Sequence, residues 1–262
     1  TEDQYYGITV GGAVVSADSL SAIADRTQLE VDALAADTVQ GDLVQITGLL
    51  ADSLSNDVEL KANVAVVVFG DGAGSDRISV AAANSIDGAT GGRVYARIAD
   101  TTASGLLALE LDSGDQYYGI TVGGANLLAD SLHAVDLRSA LPVRVDADTV
   151  EGTASEVFGV LVAGVNLDDA AVVVNGGSIT VAQANSIDGA TAGRVYAALG
   201  DTAASALLGL ATEGSPEQAE YYTITVGDAV VRADSLSAIA DRTLLEVNAL
   251  AADTVQGDLV QI

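Results

Sequence analysis

Nucleophilic and general-base chemistry has few residues to draw on in this chain. Of 262 residues one is histidine, His133, and none is cysteine, methionine or tryptophan. Ser131 and Asp136 lie close to His133 and complete the residue types of a hydrolytic triad. A triad is a geometry, however, and Ser131 falls at an expected helix start. The absence of cysteine excludes disulfides, thiol nucleophiles, cysteine-ligated zinc and iron–sulfur clusters. Carboxylate pairs at glycosidase spacing are expected by chance among 37 acidic residues, and few aromatics are present to line a sugar cleft. Neither a lysine-bearing phosphate loop nor a dinucleotide fingerprint occurs. These residues imply no enzyme.

Oxygen ligands are what the chain has in quantity. Asp71-Gly72-Ala73-Gly74-Ser75-Asp76 has the look of one turn of the Gly/Asp repeat that binds calcium in parallel β-rolls. Carboxylates and turn carbonyls are the hard ligands calcium takes, so Asp71 and Asp76 are the candidate calcium ligands. The motif stands alone, and its second copy shrinks to Asn175-Gly176-Gly177, so a plain hairpin loop is the competing reading. Nothing in the sequence requires a cofactor. Asp87-Gly88 and Asp188-Gly189 sit in an identical octapeptide and read as turns, as does Asp168-Asp169. The pairs Tyr5-Tyr6, Tyr117-Tyr118 and Tyr221-Tyr222 hold six of the eight tyrosines. Successive strand residues face opposite ways, so one of each pair belongs in the core. Tyr5, Tyr117 and Tyr221 are assigned to contact the preceding unit.

The elements carrying these residues recur. Asp3 to Ala13 returns identically as Asp115 to Ala125, and loosened as Glu220 to Ala229. Ala-Asn-Ser-Ile-Asp-Gly-Ala-Thr occurs at 83–90 and 184–191, each time followed by Gly-Arg-Val-Tyr-Ala. Ala17 to Ile46 returns as Ala233 to Ile262 with two substitutions. His133 corresponds to Ser21 and Ser237, so no repeated site uses the imidazole. The expected organisation is a first repeat module at 1–114, a second at 115–219 and a partial third at 220–262. Opening at Thr1 and closing inside a repeat, the chain reads as a segment of a longer array.

Within one module Tyr6 to Val15 alternates like a strand pair, with Gly11-Gly12 suited to a hairpin turn. Leu20, Ile23, Ala24, Thr27, Val31 and Leu34 follow helical spacing after Asp18 or Ser19 as cap, predicting an amphipathic helix of about four turns. Pro142 ends its counterpart by about Leu141. Strands are expected at 42–49, 58–69, 77–82 and 93–98, with counterparts at 157–165, 171–174, 178–182 and 194–199. Asp100–Leu109 and Asp201–Leu210 read as a capped second helix or another strand, and their alanine-rich composition leans toward helix. The fold class is α+β, β-rich tandem repeat modules; an all-β Ig-like sandwich array and a β-solenoid are the alternatives. The solenoid draws on the triplet Ala-Asp-[Ser/Thr], which recurs eight times at irregular steps.

Acids outnumber bases 37 to 10, giving a formal charge of −27. One lysine and nine arginines cannot build the basic stripe a nucleic acid needs. Apolar residues make up 49% of the chain, too many for a disordered acidic tail. The densest apolar runs, 62–69 and 157–165, fall short of the ~18–20 residues of a membrane-spanning helix. The segments Tyr-x-Ile-Thr-Val-Gly, Ala-Asp-Ser-Leu-Ser-Ala-Ile-Ala, Leu-Glu-Val-Asn-Ala and Gly-Asp-Leu-Val-Gln-Ile together resemble a strand–helix–strand module. That module occurs in tandem in very large, repetitive bacterial surface and secreted proteins, and in some phage structural proteins. The match covers residues 5–48 and 221–262 well, and 117–165 less well because of Pro142. The resemblance implies an extracellular or cell-surface structural role as stalk, spacer or filament subunit, with neighbouring repeats or copies of itself as partners. An incomplete third module leaves an edge for head-to-tail polymerisation. The rival expectation is an adhesin that binds calcium or a surface glycan.

Overall fold

The computed structural model describes residues 5–111, 116–211 and 220–257. The repeat boundaries at 114–115 and 219, and the closing residues to Ile262, lie outside them. Helices and parallel strands alternate, so the chain mixes α and β structure. It divides into two compact units. One comprises Thr1–Thr121 with Ala134–Val143, and the other Val122–His133 with Arg144–Ile262.

The first unit begins with β1 (Ile8–Thr9), β2 (Val14–Ser16) and α1 (Ala17–Ala24), followed by β3 (Val31–Asp32), β4 (Thr38–Gly41) and α2 (Leu43–Leu54). Next come β5 (Val58–Glu59), β6 (Ala65–Val68), α3 (Val80–Asp87), β7 (Val94–Arg97), α4 (Ala103–Leu106) and β8 (Gln116–Gly119). β1, β3 and β5 form one sheet, and β2, β4, β6, β7 and β8 another. Pairing is parallel, with Val14 opposite Thr38, Thr38 opposite Ala65, Val66 opposite Val94 and Val94 opposite Gln116. Each strand therefore lies beside the strand one coil later. A coil of strand, turn and helix takes roughly 22–28 residues, the length of strand-plus-helix repeats. Parallel neighbours need such a crossover; a tight turn cannot join them.

The second unit repeats this plan, although Thr121 and Ala134–Asp136, at the edges of its first strand and first helix, fall in the first unit. β9 (Thr121–Leu128), α5 (Ala129–Asp136), β10 (Arg144–Gly152), α6 (Ala154–Val162), β11 (Ala171–Val174) and α7 (Val181–Asp188) come first. β12 (Val195–Ala198), α8 (Ala204–Leu207), β13 (Tyr221–Thr223), β14 (Val230–Arg232), α9 (Ala233–Ala240) and β15 (Thr254–Gln256) complete it. Its sheet runs β9-β10-β11-β12-β13, and β14 pairs with β15. Small β-branched and aliphatic side chains fill the interior between sheet and helices, among them Val150, Val160, Val172, Ile187, Val195 and Ile224.

Several expectations are corrected. Gly11-Gly12 makes no hairpin, because β1 and β2 each join a later parallel strand. The four-turn helix stops at Ala24, since the Leu-Glu-Val-Asp-Ala stretch returns to a two-residue period that buries Val31 and Ala33. The strands expected at 42–49 and 157–165 are α2 and α6. Both are fixed by capping boxes in which Asp42 and Thr153 accept from the third helical amide while Gln45 and Glu156 reach back. The segments at 77–82 and 178–182 each give one bridging residue, Ile78 or Ile179, and then enter a helix. β7, β11 and β12 and the short helices α4 and α8 lie where expected. An Ig-like sandwich is antiparallel, and the parallel register replaces it. Pairing also crosses the repeat boundaries, since β7 joins β8 and β12 joins β13.

Candidate functional site

The candidate calcium loop is closed upon itself. Asp71 Oδ1 accepts the backbone N–H groups of Ala73 and Ser75 at 2.8 and 3.0 Å. Those donors, Ala73 first, hold its carboxyl below the ordinary carboxylate range. Gly72 and Gly74 adopt positive φ to make the turn. Asp76 is engaged elsewhere, in an ion pair with Arg97 and a longer one with Arg77. Asp71 and Asp76 thus serve different partners. Among the described residues no group of three or more acids or histidines is placed to hold a metal ion. In the other unit Asn175 donates to Glu151 at 3.1 Å, and Gly176 and Gly177 turn the chain.

Ser131 and His133 lie two residues apart on α5, on divergent faces of the helix. His133 Nδ1 is buried without a hydrogen-bond partner among the described residues, so no carboxylate holds that nitrogen.

The repeated motifs converge instead on contacts between successive coils. Tyr117 stacks on Tyr95 at 4.7 Å between ring centroids, and Tyr221 on Tyr196 at 4.5 Å. The two tyrosines outside the sequence pairs are thus the stacking partners of the paired ones. Arg93 and Arg194 lie over the rings of Tyr117 and Tyr221 at 5.4 and 5.3 Å, a cation–π arrangement. Arg194 also donates to the Tyr221 hydroxyl at 2.7 Å. Tyr118 and Tyr222, the other pair members, are buried. Tyr5 and Tyr6 of the opening coil are exposed.

The octapeptide supplies a second set of contacts. Asn84 donates to the Ala108 carbonyl at 2.8 Å and accepts from Glu110 N at 3.2 Å, gripping the backbone at the end of the next coil. Asn185 does the same to Gly209 and Ala211 at 2.9 and 2.8 Å. Thr90 and Thr191 reach the preceding coil, donating to the Val64 and Ala170 carbonyls at 2.7 and 2.6 Å. Ile86, Val94, Ile187 and Val195 fill the core. Asp87 accepts from Gln116 Nε2 at 3.1 Å.

Carboxylates from the following coil cap helix N-termini. Asp100 accepts from Val80 N at 3.0 Å, Asp201 from Val181 N at 2.7 Å and Asp228 from Ala204 N at 2.6 Å. Each satisfies a free amide and meets the positive end of the helix dipole. Asp201→Ala is expected to cost about 1–2 kcal/mol, read as a lower urea midpoint at unchanged slope.

Hydroxyls complete the pattern. Thr27 donates to Tyr6 O at 2.8 Å, Ser139 to Tyr118 O at 2.9 Å and Thr243 to Tyr222 O at 2.8 Å. Ser139 and Thr243 also accept the Tyr118 and Tyr222 amides, each at 3.0 Å. Sequence reasoning placed Thr27, whose counterpart in the repeated segment is Thr243, on a helical stripe and missed this role. Their signal was the recurrence of Ser or Thr after arginine in Asp25-Arg26-Thr27, Leu137-Arg138-Ser139 and Asp241-Arg242-Thr243.

No helix among the described residues is long and apolar enough to cross a membrane. A shallow cleft in the second unit, lined by Phe158, Leu161, Val162 and Val165 with Asn166 and Ser186, presents no charged group. No protein-family model, curated protein or solved structure matches this chain.

Proposed function

We propose that the chain is a non-catalytic structural segment of an extracellular tandem array, a stalk, spacer or fibre subunit of a bacterial surface or secreted protein. One observation carries the reading: the asparagine, threonine, arginine and tyrosine side chains of the repeated motifs hold one coil to the next in both copies. Motifs kept for a ligand would instead aim polar groups at a common cavity. The sheet order supports the same reading. Open α/β sheets bind ligands where the strand order reverses, and both five-stranded sheets run in chain order without reversal. Repeating units that contact only their neighbours give length in proportion to copy number.

Equilibrium dialysis against calcium and a glycan array test this reading against the adhesin. No saturable uptake is expected. A saturable calcium site abolished by Asp71→Asn, or a specific glycan signal, would make the chain an adhesin instead.

The charge also makes a prediction. With a formal charge of −27, self-repulsion opposes the compact state, and salt screens it. Raising NaCl from about 10 mM to about 1 M shortens the screening length from ~30 to ~3 Å. The thermal midpoint is expected to rise across that range; a fall would mean that attractive ion pairs dominate.

A further inference from the structure

The opening coil carries, uncovered, the residues that later copies use to receive a preceding coil. Asp3 to Ala13 and Asp115 to Ala125 are identical in sequence, yet their surroundings differ. Tyr6 is 58% exposed, whereas its equivalents Tyr118 and Tyr222 are 1% and 3% exposed. Tyr5 is 68% exposed, whereas Tyr117 and Tyr221 lie stacked against Tyr95 and Tyr196 under an arginine. Ile8 and Val10 are half-buried; Ile120, Val122, Ile224 and Val226 are fully buried. Arg26 is exposed, while Arg138 and Arg242 donate to the carbonyls of Leu109 and Leu210, just beyond the short helix of the coil before. A solvent-facing edge of a stacked repeat normally carries polar or charged side chains. This one presents two tyrosines.

We propose that the edge formed by Tyr5, Tyr6, Ile8, Val10 and Arg26 is a docking surface for a coil carrying Gly-Arg-Val-Tyr-Ala followed by a short leucine-ended helix. The contacts are those already seen twice in the chain. The partner's tyrosine stacks on Tyr5, its arginine lies over the same ring, and Arg26 caps a leucine carbonyl at the end of its helix. β15 is not that partner. Its Thr-Val-Gln sequence repeats that of β4, whose onward neighbour is β6, an Ala-Val-Val-Val strand without arginine or tyrosine. The surface therefore selects a particular coil of an array, and it does not select the far end of a second copy.

This inference rests on the array reading, but its test does not, because it measures docking and not ligand uptake. A copy of residues 1–112 placed directly before Thr1 restores the spacing found between Tyr95 and Tyr117, at the high effective concentration of a tether. Hydrogen exchange of amides 7–10 in the original copy is expected to slow by more than about tenfold relative to the unextended chain. Tyr5→Ala with Arg26→Ala should abolish that protection, while shifting the midpoint of the unextended chain by no more than about 1 °C, as exposed substitutions do. Unchanged exchange on extension overturns the proposal. So does protection that survives the double substitution. So does self-association of the unextended chain, seen by sedimentation and lost with Tyr5→Ala, because the occupant would then be another surface of a second copy.

Discussion

Gly193→Ala is expected to disrupt the stack of the second unit and Gly92→Ala that of the first, although each adds a single methyl group. A Cβ at Gly193 would stand 2.3 Å from the Ala170 carbonyl oxygen and 2.5 Å from that of Asp169. At Gly92 the corresponding distances are 2.2 Å to Val64 O and 2.5 Å to Asn63 O. Both obstacles are backbone of the preceding coil, so no rotamer change relieves them. That backbone is also pinned: Thr191 donates to Ala170 O at 2.6 Å and accepts Gly193 N at 2.8 Å, and Ala192 N reaches Asp168 O at 2.7 Å. Relief requires the coils to part where Val172 faces Val195 in the sheet. The cost should be about 3 kcal/mol or more, at the upper end for overpacking. For a unit of this size that lowers the midpoint by roughly 10 °C or more. Gly159→Ala is the control. It lies inside α6 with nothing within 4 Å of its virtual Cβ, so alanine should stabilise by about 0.5–1 kcal/mol through helix propensity. Equal midpoints for Gly193→Ala and the native chain would show that the coils are not in close backbone contact.

The same glycines show how much of this protein was legible from its residues. The recurrence of Gly-Arg-Val-Tyr-Ala marked the positions, and alternation placed one tyrosine inside in the second and third pairs, whereas Tyr5 and Tyr6 are both exposed. What periodicity does not carry is the identity of a strand's neighbour. Tyr6 to Val15 around Gly11-Gly12 satisfies the pattern of a hairpin, yet its partners lie a coil later, and parallel pairing at that range leaves no local mark. Tyr95 and Tyr196 were the two tyrosines outside the pairs, and only the register shows that they receive Tyr117 and Tyr221.

Helix and strand were confused where apolar runs are rich in β-branched residues. Val157, Val160 and Val162 favour a strand by propensity, but Thr153 and Glu156 build a capping box and the helix wins. The Asp42 and Gln45 pair carried the same signal for α2. The Ala-Asp-[Ser/Thr] triplet pointed only weakly to a coil repeat because it fills several structural positions. Asp18, Asp130 and Asp234 lie in the first turns of α1, α5 and α9. Asp37 and Asp253 precede β4 and β15, Asp52 lies on α2 and Asp100 caps α3 from the next coil. Irregular steps follow from mixing these roles, so the triplet has no single period.

Thr243→Val is expected to be strongly destabilising. Thr243 is 7% exposed. Its hydroxyl accepts Tyr222 N at 3.0 Å and Leu245 N at 3.1 Å while donating to Tyr222 O at 2.8 Å. Valine keeps the shape and removes all three bonds. The buried Tyr222 amide then loses its acceptor, a loss that costs about 1–3 kcal/mol, and the part-buried Leu245 amide loses one as well. A destabilisation of about 3 kcal/mol is expected, with faster hydrogen exchange at the Tyr222 and Leu245 amides. Thr243→Ser restores the oxygen and should recover most of that loss, because Ser139 makes the equivalent three bonds to Tyr118 and Leu141. The opening coil provides the comparison. Thr27 bonds Tyr6 O and Leu29 N in the same manner, but there the partners are exposed. Water replaces the hydroxyl in Thr27→Val, and the loss should stay below about 1 kcal/mol. Equal costs at 27 and 243 would mean that the hydroxyl is incidental to coil stacking; the expected several-fold difference measures what a covering coil adds to one hydrogen-bonded bridge.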